Sequence, residues 1–112
     1  AYSNRIKQQV LHVNELTLQR YGAVSKEIAA EMAEGVRRLS GADIGVSVTG
    51  NAGPGASEGK PVGLVYVGIS SKNYTNVIPL EIRRTDDDAR EYIRYIASSN
   101  ALYQVIEAAK RA

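Results

Sequence analysis

The chain has 112 residues and a formal net charge of +2, enough length for one compact domain with a modest core. Its longest basic blocks are Arg37-Arg38 and Arg83-Arg84, so composition offers no argument for a nucleic-acid partner. There is no cysteine, which excludes disulfides, thiolate metal sites and a cysteine nucleophile.

His12 is the single histidine, so any Ser-His-Asp triad would have to run through it. A structural role is the plainer reading of that residue. The apolar runs are too short to span a bilayer and no signal peptide is visible. A cytoplasmic protein without membrane contact is therefore expected. The chain opens on Ala1 and passes straight into Tyr2-Ser3-Asn4, as a cut end or a fragment would.

From Ala1 to Gly22 the pattern predicts a short entry and two brief helices. Asn4 or Ser3 caps the first, with Ile6, Val10, Leu11 and Val13 roughly on one face. Lys7 falls in its first turn, an unfavourable place for an ammonium because a helix N-terminus carries partial positive charge. Asn14 caps the second, and Gly22 ends it in the left-handed conformation.

Ser25 to Leu39 reads as the strongest helix. Ser25 caps it, Glu27 complements the first turn, and Ile28, Ala29, Met32, Ala33, Val36 and Leu39 form the apolar stripe. Arg37 and Arg38 suit the last turn, and Gly41 stops the helix. Ile44, Val46 and Val48 then alternate with Gly45, Ser47 and Thr49, the period of a strand.

A glycine-loaded loop follows from Gly50 to Pro61. Val62 to Ile69 is apolar at both parities, as in a strand buried on both faces. Ser70 to Asn73 is a turn. Tyr74 to Ile82 is a third strand that Pro79 consigns to an edge, paired antiparallel with Val62 to Ile69. Thr85 caps a long helix reaching about Lys110, with Asp86, Asp87 and Asp88 placed where the helix dipole favours them. Its stripe is expected at Ala89, Ile93, Ile96 and Tyr103, with Leu102, Ile106 and Ala109 beside it. Ser98, Ser99 and Asn100 interrupt it. The sum is an α/β domain, a mixed β-sheet with helices packed on it in an α/β/α layered order.

The loop is the functional centre of this reading. A loop so rich in glycine is entropically costly to order, and a ligand approaching the backbone closely is one reason to keep it. It is not a phosphate-binding P-loop, because Pro54 and Pro61 stand where a glycine and a Ser or Thr are needed and a strand follows in place of a helix. The dinucleotide fingerprint fails as well, since Glu58 occupies the third glycine position. Two readings stay open: backbone amides after Thr49-Gly50 that hold an oxyanion or a phosphate, or a plain surface loop needing glycine for its turns.

Several motifs together resemble one family. Val48-Thr49-Gly50-Asn51-Ala52-Gly53-Pro54 is followed by Gly59-Lys60-Pro61-Val62-Gly63-Leu64-Val65-Tyr66. Tyr2-Ser3-Asn4-x-x-Lys7 precedes them, and Gly22-Ala23-Val24-Ser25-x-Glu27-Ile28-Ala29-x-Glu31-Met32-Ala33-x-Gly35 lies between. In order and content these resemble the CinA C-terminal domain, the nicotinamide-nucleotide amidase family, across essentially the whole chain, with the likeness fading after Ile69. Asn51 departs from the family's usual apolar residue, and Gly55-Ala56-Ser57 replaces a Gly-Gly-rich segment.

The resemblance implies a deamidase converting nicotinamide mononucleotide and water to nicotinate mononucleotide and ammonia, with a serine nucleophile, a lysine base and no cofactor or metal. It matches Tyr2 and Lys7 to catalytic positions, Thr49 and Gly50 to substrate contacts, and Arg90 to an arginine near the site. The family's Glu-Ser-Cys-Thr-Gly-Gly segment, which carries the nucleophile, would lie upstream of Tyr2, so a domain truncated at its N-terminus, 1–112, is expected. Self-association is expected too. A lysine base must be neutral when it acts, which burial and a positive helix end both favour.

Each residue also has a plainer reading. Lys7 is a surface lysine, Tyr2 a strand-flanking aromatic, Thr49 a polar strand end, and Arg90 a partner of Asp86 or Asp87 on its own helix. The aspartates are helix caps before they are metal ligands. For the chain as a whole the alternative is a non-catalytic binding or accessory module in competence or DNA-damage responses.

Overall fold

The structure is a computed structural model and describes residues 13–53, 60–84 and 88–111. The first expected helix, with Tyr2, Lys7 and His12, lies outside the described residues, as do the loop tip and the Thr85 cap with Asp86 and Asp87.

Asn14 opens the first described helix, α1 (Glu15–Tyr21), its side-chain oxygen accepting from the amides of Leu16 and Thr17. The Asn14 amide donates to Glu31 Oε1 at 2.7 Å, which ties α1 to the next helix. Gly22 ends α1 at φ 79, ψ 168, outside the left-handed helical well expected for it. Ser25 caps α2 (Lys26–Ser40), accepting from the Ile28 amide and donating to Gly22 O at 2.9 Å. Gly41 closes α2 in the left-handed conformation, as the sequence predicts.

Three strands follow: β1 (Ile44–Gly50), β2 (Leu64–Ser71) and β3 (Thr75–Glu81). They form a sheet in the order β1-β2-β3 with both pairings antiparallel. A mixed sheet requires a parallel pairing, and none is present among the described strands. The layered α/β arrangement is as expected. So are the central place of β2 and the edge place of β3, where Pro79 lies opposite Tyr66. β2 starts at Leu64 and not at Val62, because Val62 and Gly63 make the turn that feeds it.

The two faces of the sheet are packed by different chemistry. On one face Val46, Val65, Val67, Ile78 and Leu80 meet α3 (Ala89–Arg111) through Ala89, Ile93, Ala97 and Ala101. This is an ordinary apolar core. On the other face α2 lies almost directly on the backbone. A Cβ at Gly45 would stand 2.3 Å from Ala33 O, and one at Gly68 would stand 2.4 Å from Ala29 O. Ser47, on the same face, donates to Ala29 O at 2.6 Å. α1 caps this layer through a small cluster of Val13, Leu18, Ile28 and Met32.

The stripe of α3 differs from expectation in its second half. Ala97, Ala101 and Ala108 are buried, whereas Leu102, Tyr103 and Ile106 are exposed. The buried line steps every four residues from Ala89 through Ile93 and Ala97 to Ala101 and then seven on to Ala108, so in the second half alanines face inward and the larger side chains turn outward. No helix among the described residues is long and apolar enough to cross a membrane.

Candidate functional site

Two elements converge at the loop that follows β1. β1 delivers Thr49, Gly50 and Asn51 to the end of the sheet, and α3 begins beside it. Ala52 packs into the cluster that contains Ala89, which brings the first turn of α3 against the loop neck. Arg90, on that turn and exposed, donates from Nη1 to Gly53 O at 3.0 Å. The loop and Arg90 are thus brought together. Of the two partners foreseen for Arg90, neither is this one: it binds the backbone of the loop itself. One guanidinium N–H is used there and the fork carries five, so with respect to the described residues donors remain for an anion.

Thr49 is placed differently. Its side chain lies on the α2 face, opposite Tyr66, and Oγ1 donates to Ala23 O at 2.6 Å. The hydroxyl proton therefore locks β1 to the segment leading into α2, and only its lone pairs stay available. Gly50 sits on the other face, opposite Val65. A Cβ there would stand 2.6 Å from Val65 Cγ2 and 2.9 Å from Leu64 O, so strand packing alone already demands glycine. Tyr2 and Lys7 lie outside the described residues.

Sequence reasoning noticed Asn51 only as a departure from the family pattern. The structure makes it the hub of the loop neck. Asn51 is buried. Its amide donates to Leu64 O at 3.1 Å and its carbonyl accepts from Gly63 N at 2.7 Å. Its Nδ2 donates to Lys60 O at 3.2 Å, and its Oδ1 accepts from Gly53 N at 3.0 Å. The last contact is an Asx-turn, the short-range bond that asparagine makes two residues on. The sequence signal for this turn is an asparagine at a strand end with glycine two residues on; the bonds to Lys60, Gly63 and Leu64 carry none.

These bonds decide what the loop offers to a ligand. The amides of Asn51 and Gly53 are both engaged within the loop, so neither is a spare anion donor in this conformation. Arg90 is the charged donor that the described part of the site presents. Beside the descending limb, a cleft of about 280 Å³ is lined by Pro61, Val62, Gly63, Leu64, Glu81, Ile82 and Arg83. None of the described site residues, Thr49, Gly50 and Arg90, lines it, and its Arg83–Glu81 ion pair is exposed at 3.5 Å, a contact of little energetic weight. Among the described residues no group of three or more His, Asp or Glu side chains is placed to hold a metal ion.

A layered α/β domain with a glycine loop clamped by an arginine defines the class, and comparison with known proteins supplies the family. The CinA C-terminal domain model matches residues 1–109. The chain belongs to the CinA C-terminal domain family. It is 59% identical over 76 residues to a putative competence-damage inducible protein of Bacillus pumilus, covering 68% of this chain and 18% of that one. It is 48% identical over 103 residues to a CinA-like protein of Thermosynechococcus vestitus, covering 91% of this chain and 24% of that one. The chain therefore spans a quarter or less of these curated relatives.

Solved structures agree on the fold. A CinA superfamily protein of Escherichia coli superposes with a TM-score of 0.87 at 30% identity, over 96% of this chain and 60% of that one. A competence/damage inducible protein of Agrobacterium tumefaciens gives 0.85 at 37% identity, over 96% of this chain and 64% of that one.

Proposed function

We propose that this domain is the nucleotide-binding part of a nicotinamide-nucleotide amidase, hydrolysing nicotinamide mononucleotide to nicotinate mononucleotide and ammonia. The observation that carries the reading is the Arg90–Gly53 contact, which holds a guanidinium at the mouth of the loop with donors left for a phosphate. In this reading a serine from the segment that precedes the Tyr2 motif in the family attacks the carboxamide carbon and passes its proton to Lys7. The tetrahedral intermediate collapses as ammonia leaves with that proton. Water then cleaves the acyl-serine ester to free the acid and the serine. Tyr2 donates a hydrogen bond to the serine or to Lys7. Thr49 and Gly50 shape the strand end beside the carboxamide.

The test is ammonia release from nicotinamide mononucleotide by the full-length protein that carries this domain. Lys7→Ala should lower kcat by at least about a thousandfold with an unchanged circular dichroism spectrum. Retained turnover in that variant removes Lys7 from the mechanism. A second reading, a non-catalytic module in competence or damage responses, is favoured by the names of the relatives. Absence of turnover in the full-length protein, with the nucleotide still bound, would decide for it.

A further inference from the structure

The bonds around the loop neck form a directed chain. Asn51 Oδ1 accepts from the Gly53 amide at 3.0 Å, and the carbonyl of the same Gly53 accepts from Arg90 Nη1 at 3.0 Å. Gly53 has φ 93, a conformation that only glycine adopts freely, so nothing in its own side chain holds its carbonyl in place. The amide held by Asn51 and the carbonyl held by Arg90 belong to successive peptide planes that meet at the Gly53 Cα, so the two bonds together fix the turn there. Asn51 is fixed by its backbone pairing to Leu64 and Gly63 and by Nδ2 on Lys60 O. Arg90, by contrast, is exposed and tethered at its far end to Gly53.

We infer that Asn51 is a positioning residue for the anion site, setting the direction of the Gly53 carbonyl and, through it, the guanidinium of Arg90 that meets the phosphate of a nucleotide substrate. The inference rests on the amidase reading for its substrate and on geometry alone for its coupling. An aliphatic side chain can fill the space, but it cannot accept from the Gly53 amide. Serine can do so, more weakly, through the equivalent turn.

The test has two arms on the full-length protein. The first is NMR of protein labelled at glycine and arginine. Asn51→Leu should speed exchange of the Gly53 amide at least about tenfold and raise the mobility of the Arg90 Nε–H. Asn51→Ser should restore most of both. Arg90→Gln, a change at an exposed position that leaves the neck intact, should alter Gly53 exchange by less than about twofold, because control runs from Asn51 outward. The second arm is kinetic. Asn51→Leu should raise KM for nicotinamide mononucleotide about tenfold, the equivalent of one charge-assisted hydrogen bond, with kcat within about twofold. KM for the riboside, which lacks the phosphate, should stay unchanged, and Asn51→Leu with Arg90→Gln should be no worse than Arg90→Gln alone. An unaltered Gly53 amide in Asn51→Leu, or losses that simply add in the double variant, overturns the inference. A wild-type protein that turns over no nucleotide overturns the amidase reading, and the NMR arm still decides the coupling. Should Asn51→Leu fail to fold, Asn51→Ala, which removes the acceptor for the Gly53 amide without adding bulk, carries the same comparison against wild type and Arg90→Gln.

Discussion

Thr49 shows how one side chain can serve packing while resembling a ligand contact. Its hydroxyl is bonded to Ala23 O at 2.6 Å, so Thr49→Val should cost about 1 kcal/mol of stability, measured by urea denaturation. Gly63 is the stricter case. It has φ 92, and a Cβ there would stand 2.0 Å from Ile82 O. Both strain and a backbone clash oppose any side chain, so Gly63→Ala should cost more than about 3 kcal/mol or prevent folding. Gly41 makes the control: it has φ 68 but nothing within 4 Å of a Cβ. Gly41→Ala should cost only about 1–2 kcal/mol, the penalty of the left-handed well itself. Equal losses at the two glycines would show that the Gly63–Ile82 contact yields easily.

At the level of elements, α3 carries the sharpest disagreement between pattern and packing. Ala101 is buried at 9% exposure, whereas Leu102 is 63% exposed. The bigger residue is the worse anchor here, because neighbours on a helix lie about 100° apart and it is Ala101 that falls on the line of Ile93 and Ala97 facing the sheet. Ala101→Leu should destabilise by about 1–3 kcal/mol through overpacking, while Leu102→Ala should change stability by less than about 0.5 kcal/mol. Thermal unfolding followed by circular dichroism checks both. The reverse ranking would return the stripe to the large residues. α2 makes the complementary point. Its stripe is legible at 3.6-residue spacing from Ile28 to Val36, whereas Leu39, expected on it, is 60% exposed, and its contact with Gly45 and Gly68 is set by the small residues facing it.

At the scale of the molecule, β2 holds the layers together. It pairs on both sides and carries Val65 and Val67 into the α3 core while Gly68 meets α2. Its amides from Val65 to Ile69 should therefore be the slowest to exchange with deuterium, opening only with global unfolding. Faster exchange there than in β1 or β3 would mean that the layers separate before the sheet opens. The loop neck belongs to the same unit, since Asn51, Gly63 and Ile82 extend the ladders beyond the strand ends. For that reason substitutions at the neck should register in both stability and binding, while those at the exposed Arg90 should register in binding alone.

Local chemistry was enough to read α1, α2, the three strands and their caps, because each depends on residues within a turn or two: Asn14 and Ser25 on the amides just ahead, Pro79 on its missing donor, Gly41 on its backbone freedom. It also drew attention to the loop and to Arg90, through glycine density and a family likeness written along the chain, and the structure adds one contact between them, Arg90 Nη1 to Gly53 O. Three matters were settled only by contacts between distant segments. The Gly, Ser and Thr face of β1 is the buried one, with Ser47 at 7% exposure and Val48 at 40%, because α2 comes close enough to take the Ser47 hydroxyl on Ala29 O while the segment leading into α2 takes Thr49 on Ala23 O. The alanines Ala97 and Ala101 of α3 face the core on the same line as Ile93, and Leu102, Tyr103 and Ile106 face out. Asn51 became the hub of the site because its partners, Lys60, Gly63 and Leu64, return to it from across the loop, and hydrogen bonds between segments so far apart leave no period in a sequence.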